Sequence, residues 1–209
     1  MQRPSAEEVD LLPQGSVLVS LLQPSTQRAL LERLAARGVT AFAMELVPRT
    51  TKAQAMDALS SQATVAGYKA VLLGASQLGR LLPMMTTAAG TLAPARAFII
   101  GAGVAGLQAI ATARRLGAIV TAFDVRPAAR EQVLSLGAKF VEAEAVSAAA
   151  EGAGGYAREL AAEQQRLVLE AVGKALPQMD LVITTAQIPG KPAYMEIGER
   201  RVGKECRSR

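Results

Sequence analysis

Histidine and tryptophan are absent from this chain, cysteine occurs once, and only 3% of its residues are aromatic. Without histidine there is no Ser-His-Asp or Cys-His constellation. With a single cysteine there is also no zinc site of His/Cys type and no disulfide framework. Long apolar segments are scarce as well. Residues 1–14 carry Arg3, Glu7, Glu8 and Asp10, and the apolar run at 17–22 is too short for a signal-peptide core or a membrane span. The one stretch that hydropathy favours, 97–113, is free of charge over seventeen residues, but Gly101, Gly103 and Gly106 interrupt it. A buried parallel strand turning into a half-buried helix explains that stretch better than a span of about 20 residues.

What is present is a globular composition: half the residues are apolar and a fifth are charged. A chain of 209 residues suffices for one domain or two small ones. The net charge of +5 would suggest nucleic acid, but Arg200, Arg201, Lys204, Arg207 and Arg209 against Glu205 account for four of those charges. No aromatics are interleaved with these basic residues, which argues against a nucleic-acid arm. The same segment holds Cys206. It has neither helical nor strand period and resembles the in-frame translation of a sequencing adapter, so residues 196–209 are expected to be a non-native tail.

Along the body, apolar runs alternate with helical stretches. A buried strand is expected at 17–22. A helix then starts at Pro24-Ser25, with Leu30, Leu31 and Leu34 on one face and Gly38 at its end. A strand follows at 39–46, closed by Pro48. Residues 52–60 read as loop or helix, 61–78 as helix, and 79–92 as an irregular connection ending at Pro94. The second half repeats the alternation. Strand 97–100 leads to helix 104–116 capped by Gly117, and strand 119–123 to a helix opening at Pro127 and ending near Gly137. Strand 139–141, a Gly/Ala/Glu loop, helix 156–175 and strand 181–184 complete the order. Such alternation implies an α/β fold, a doubly wound parallel sheet covered on both faces. The expected division is a partial N-terminal α/β domain at 1–60, the doubly wound domain at 61–195, and the tail.

Gly101-Ala102-Gly103-Val104-Ala105-Gly106 is a GxGxxG string. It follows an apolar strand, opens a helix, and precedes by eighteen residues an aspartate, Asp124, that ends the next strand. That is the order of a Rossmann dinucleotide turn. Gly101 would permit the tight turn, Gly103 the close approach of a pyrophosphate to the helix N-terminus, and Gly106 the packing of helix on strand. The segment Asp124-Val125-Arg126 would meet the adenosine ribose. A carboxylate there accepts from ribose hydroxyls and repels a 2′-phosphate, which favours NAD(H), whereas Arg126 is the residue able to grip such a phosphate.

Four strings carry a resemblance to the alanine dehydrogenase/transhydrogenase family, in its NAD(H)-binding transhydrogenase component. They are Met44-Glu45-Leu46-Val47-Pro48-Arg49 with Ala53-Gln54-Ala55-Met56-Asp57-Ala58-Leu59-Ser60-Ser61-Gln62; Pro83-Met84-Met85-Thr86-Thr87-Ala88-Ala89-Gly90-Thr91; Gly103-Val104-Ala105-Gly106-Leu107-Gln108-Ala109-Ile110-Ala111-Thr112-Ala113; and Thr184-Thr185-Ala186-Gln187-Ile188-Pro189-Gly190-Lys191-Pro192. The resemblance implies that Arg49, Gln54 and Asp57, with Ser60 beside them, lie at the nicotinamide. It also implies that residues 142–155 form a closing loop followed by Tyr156, and that Gln187 lies near the nucleotide. It further implies a homodimer, a second component carrying NADP(H), membrane-spanning components that couple hydride exchange to proton movement, and peripheral attachment at the cytoplasmic face of the inner membrane. Family members also continue before residue 1 and past the last strand, so the chain is expected to be truncated at both ends.

Hydride exchange between two nicotinamide rings needs no protein acid or base, which suits a chain without histidine. Two other readings remain at this level. One is a soluble amino-acid dehydrogenase, which would oxidise alanine in the full-length protein. The other is a non-catalytic NAD-binding module, which would bind NADH without passing hydride to an NADP analogue.

Overall fold

A computed structural model describes residues 3–142 and 162–186. Contacts divide the chain into two compact units, Met1–Ala66 and Gly67–Arg209, with the division falling inside a helix.

The first unit opens with α1 (Ala6–Asp10), started by a capping box. Ser5 Oγ accepts from Glu8 N at 3.2 Å, and the Glu8 carboxylate accepts from Ser5 N at 2.7 Å. Strand β1 (Val17–Ser20), α2 (Arg28–Ala36) and β2 (Thr40–Ala43) then form a parallel βαβ unit in which Val17 stands opposite Thr40. Val9, Leu22, Leu30, Leu34 and Val39 make its core, and Leu18 and Ala43 pack against it. Strands alternate sides with period two, so Val17, Val19 and Phe42 stand on the opposite face and are exposed. This corrects the expected buried strand at 17–22: β1 is covered on one face only.

Two boundaries also move. The helix expected from Pro24 begins at Arg28, because Gln23 adopts a left-handed φ of 52° and its carbonyl accepts from Thr26 N and Gln27 N, which winds the intervening residues into a turn. The second strand ends at Ala43 rather than 46. There Met44–Leu46 forms a 3-10 turn, and the Glu45 carboxylate accepts from the backbone N–H groups of Leu22 and Gln23.

Helix α3 (Ala58–Gln77) leads into the second unit. The connection expected to be irregular contains a hairpin, β3 (Met85–Thr87) paired antiparallel with β4 (Gly90–Leu92). Its tight reversal rests on Gly90 at φ 130° and on Thr87 Oγ1, which accepts from Ala89 N at 3.2 Å. The main sheet comprises β5 (Arg96–Ile100), β6 (Ile119–Phe123), β7 (Lys139–Phe140) and β8 (Leu181–Thr184), parallel and in the order β7-β6-β5-β8. Helices α4 (Val104–Arg115) and α5 (Ala129–Ser135) join the first three strands, and α6 (Ala162–Ala175) precedes β8.

Both faces of this sheet are covered, as the continuous apolar run of β5 requires. Ala97, Ile99, Val120 and Ile183 pack with Val71 of α3, Ala109 and Ile110 of α4 and Val133 of α5. Phe98, Ile100 and Phe123 pack with Val168 and Val172 of α6. The apolar stretch 97–113 is thus strand, turn and helix. Among the described residues no helix is long and apolar enough to cross a membrane. Pro127 lies in a turn before α5 instead of opening it, its carbonyl accepting from Arg130 N. Of the helix expected at 156–175, the part before residue 162 lies outside the described residues.

Candidate functional site

In the second unit the chain order of the four strands is third, second, first, fourth. Sheet order therefore reverses at β5, and the C-terminal ends of β5 and β8 flank the switch point at which doubly wound sheets take their ligands. The glycine string follows β5 at that switch point, and Thr185 and Ala186 follow β8.

The three glycines do different things. Gly101 has φ 93°, and a Cβ there would lie 2.7 Å from Ala186 N. Thr185 Oγ1 donates to Gly101 O at 2.9 Å, fastening the turn to the end of β8. A Cβ on Gly106 would stand 1.8 Å from Gly101 O, so α4 rests directly on the turn. Among the described residues nothing lies within 4 Å of the Cβ position of Gly103. It is the N-cap of α4 and, being glycine, offers no side chain to cap the helix. The first-turn N–H groups, from Val104, Ala105 and Gly106, thus point along the helix end beside open space that a side chain would fill. A backbone cradle of this kind suits a pyrophosphate.

Asp124 follows β6 and is buried. It accepts from Ala102 N at 2.6 Å, tying the glycine turn to the neighbouring strand, and from Arg126 through N, Nε and Nη2 at 2.8–3.0 Å. The Arg126 guanidinium is held on the carboxylate. Val125 is half-buried and packs against the cluster of Phe98, Ile100 and Phe123.

Arg49, Gln54, Asp57 and Ser60 belong to the first unit. Arg49 and Gln54 are exposed, and Gln54 lies on a 3-10 helix, Thr51–Met56, that is anchored by buried Ala53. Asp57 caps α3. Its Oδ1 accepts from Ser60 N at 2.8 Å and its Oδ2 from Ser60 Oγ at 2.6 Å. The Ser60 hydroxyl foremost, then its N–H and, more weakly, the Arg49 charge hold the Asp57 carboxyl below the usual aspartate range.

That depression makes the cap pH-dependent. A carboxyl whose folded value lies below its unfolded one stabilises the fold above the unfolded value and ceases to do so as pH falls through the folded one. Asp57→Ala is therefore expected to cost about 1 kcal/mol at pH 7. The cost should shrink as pH drops below about 4, the unfolded aspartate value. Thermal unfolding of parent and variant at pH 7 and pH 3 checks this, and an unchanged difference would contradict it.

Sequence reasoning passed over two residues. Thr185, which locks the glycine turn, stands directly after a strand in a Thr-Thr pair. Glu45, which bridges to the segment after β1, stands inside the string from Met44 to Arg49. Tyr156, Gln187, residues 143–155 of the expected closing loop and the tail at 196–209 lie outside the described residues. Among the described residues no cluster of acidic or cysteine side chains could hold a metal ion.

Comparison with known proteins finds two family models in tandem. "Alanine dehydrogenase/PNT, N-terminal domain" matches residues 1–66 and "Alanine dehydrogenase/PNT, C-terminal domain" residues 70–204. An NAD(P) transhydrogenase alpha-subunit chain of Rhodospirillum rubrum is 53% identical over 211 residues, covering 98% of this chain and 55% of the relative. The crystal structure of a transhydrogenase from Sinorhizobium meliloti superposes with a TM-score of 0.76 at 49% identity, over 91% of this chain and 50% of that one. An alanine dehydrogenase of Halomonas elongata is 36% identical, but over 59% of this chain and 34% of its own length. The chain spans about half the length of the transhydrogenase relatives it matches.

Proposed function

We propose, from the premise that this chain belongs to the alanine dehydrogenase/PNT family, that it binds NAD(H) as the oxidoreductase component of a transhydrogenase. Its partners in this reading are an NADP(H)-carrying component and membrane-spanning components that couple the exchange to proton translocation. The carrying observation is the open backbone cradle at Gly103, set at the N-terminus of α4 where the sheet order reverses. The relatives favour the transhydrogenase reading: in sequence, the transhydrogenase likeness is 53% identity over nearly the whole chain, the alanine dehydrogenase likeness 36% over 59% of it.

NAD(H) bound here supplies the hydride. The chain's own residues bind and orient. Gly101, Gly103, Val104, Ala105 and Gly106 would receive the pyrophosphate through backbone N–H groups, and Asp124, with Val125 and Arg126 beside it, the adenosine ribose. Arg49, Gln54, Asp57 and Ser60 would set the orientation of the nicotinamide, the amide and hydroxyl by hydrogen bonds and the Arg–Asp pair by its charges. Tyr156 and Gln187 belong to the same proposed binding set. Association as a homodimer and attachment at the cytoplasmic face of the inner membrane complete the proposal.

The test is nucleotide choice in the full-length protein. Parent protein should bind NADH at least tenfold more tightly than NADPH, and Asp124→Ala should narrow that gap, because removing the carboxylate removes the repulsion of a 2′-phosphate. Equal affinities in the parent would refute the assignment. Alanine-dependent NADH formation, without transfer to an NADP analogue on the partner component, would favour the dehydrogenase reading instead.

A further inference from the structure

The carboxylate assigned to the ribose already has a full set of partners. Asp124 Oδ1 accepts from Arg126 N at 2.8 Å and Arg126 Nε at 2.9 Å. Its Oδ2 accepts from Ala102 N at 2.6 Å and Arg126 Nη2 at 3.0 Å. Those four bonds use about the whole acceptor capacity of an ionised carboxylate. The Asp124 side chain is also covered, 6% exposed against 18% for Arg126.

The four bonds fall into two kinds. At each oxygen one donor is backbone, fixed by the glycine turn or by the segment after β6. The other donor at each oxygen is one arm of the Arg126 guanidinium, a bidentate fork. A vicinal diol presents two O–H donors side by side in much the same way. It can reach both oxygens only where the fork now sits.

We propose that Arg126 holds the ribose position on Asp124 in the nucleotide-free protein, and that dinucleotide binding exchanges the guanidinium fork for the two ribose hydroxyls. This rests on the NAD(H) reading above. The two backbone bonds stay throughout, so the carboxylate keeps its place and its charge while the fork leaves. Arg126 is then a determinant of affinity and of nucleotide choice. With the fork in place the pair is neutral. Once the fork has left, Asp124 faces the ribose as an unneutralised anion, which disfavours a 2′-phosphate. Any affinity the nucleotide gains from Asp124 is reduced by the charge-assisted bonds that Arg126 must give up.

Arg126→Met, which keeps the length of the side chain and removes the fork, should tighten NADH binding at least about tenfold and speed association. It should not improve NADPH binding. Arg126→Lys, a single donor in place of two, should fall between variant and parent. NADH affinities come from titration calorimetry and association rates from rapid mixing, with circular dichroism checking that each variant is folded. A second readout needs no variant to bind nucleotide. The Nε–H resonance of Arg126 in the full-length parent, assigned by its loss in Arg126→Lys, should shift and lose exchange protection when NADH is added to saturation. NADH binding with that resonance unchanged, or unaltered or weaker NADH affinity in folded Arg126→Met, would overturn this proposal alone. A parent protein that bound no NADH would overturn the functional reading and this proposal together.

Discussion

Replacing Gly103 with valine should abolish NADH binding by the full-length protein while leaving its fold intact, whereas the same change at Gly106 should remove the fold itself. The two positions are three residues apart in one string, and their surroundings set opposite outcomes. Among the described residues a Cβ at Gly103 meets nothing within 4 Å, and φ is −76°, so valine fits the backbone. The stability cost is that of a poor N-cap residue, about 1 kcal/mol. The isopropyl group would nevertheless fill the space beside the α4 N-terminus through which a pyrophosphate would reach the N–H groups. At Gly106 the added Cβ would overlap Gly101 O at 1.8 Å, with Gly101 C at 2.8 Å. Both are backbone atoms held by the turn. Relief requires α4 to move off the sheet and the cluster of Ala109, Ile110 and Ile99 to open. A loss above about 5 kcal/mol is expected, enough to unfold a domain at the low end of ordinary stability. Circular dichroism and NADH titration of both variants distinguish the cases. Residual NADH binding by folded Gly103→Val would show that the pyrophosphate lies elsewhere.

Gln54→Ala should slow hydride transfer to a partner-bound NADP analogue roughly 100-fold while changing NADH affinity only a few-fold. Gln54 is exposed, so truncation leaves no cavity and no buried group without a partner. Its backbone is placed by buried Ala53 before it and by the Asp57 cap after it, and the Gln54 carbonyl accepts from Asp57 N at 3.2 Å. The side chain can therefore be removed without moving the support. An amide that fixes ring orientation contributes more in the transition state than in the ground state, and its loss falls on the rate rather than on binding. Rapid-mixing kinetics on the full-length subunit with its partner component separates the two. Transfer at the parent rate would leave Gln54 as one more residue before a capped helix.

The sequence by itself determined the centre of the second unit. Strands 119–123 and 181–184 and the start of α4 stand where local pattern puts them, because a strand buried on both faces must be a continuous apolar run and the glycine turn must follow it. Gly38, Gly117 and Gly137 mark the ends of α2, α4 and α5 for an equally local reason, a left-handed φ of 65–93° after the last turn. Family membership was legible too, in long strings at matching intervals. Tertiary structure decided the rest. The turn at Pro24 depends on the left-handed Gln23, and the early end of β2 coincides with a Glu45 contact more than twenty residues back. The one-sided burial of β1 depends on which neighbours pack against it, and an apolar run does not reveal that. Asp124 is the sharpest case. Its spacing from the glycines announced a ribose carboxylate, yet its actual partners, Ala102 N and the Arg126 fork, follow from β6 lying beside β5 and from a rotamer that a partly buried ion pair holds. Hydrogen-bond capacity at one carboxylate is filled by whatever the fold brings within 3 Å, and that is a property of strands side by side, not of residues in a row.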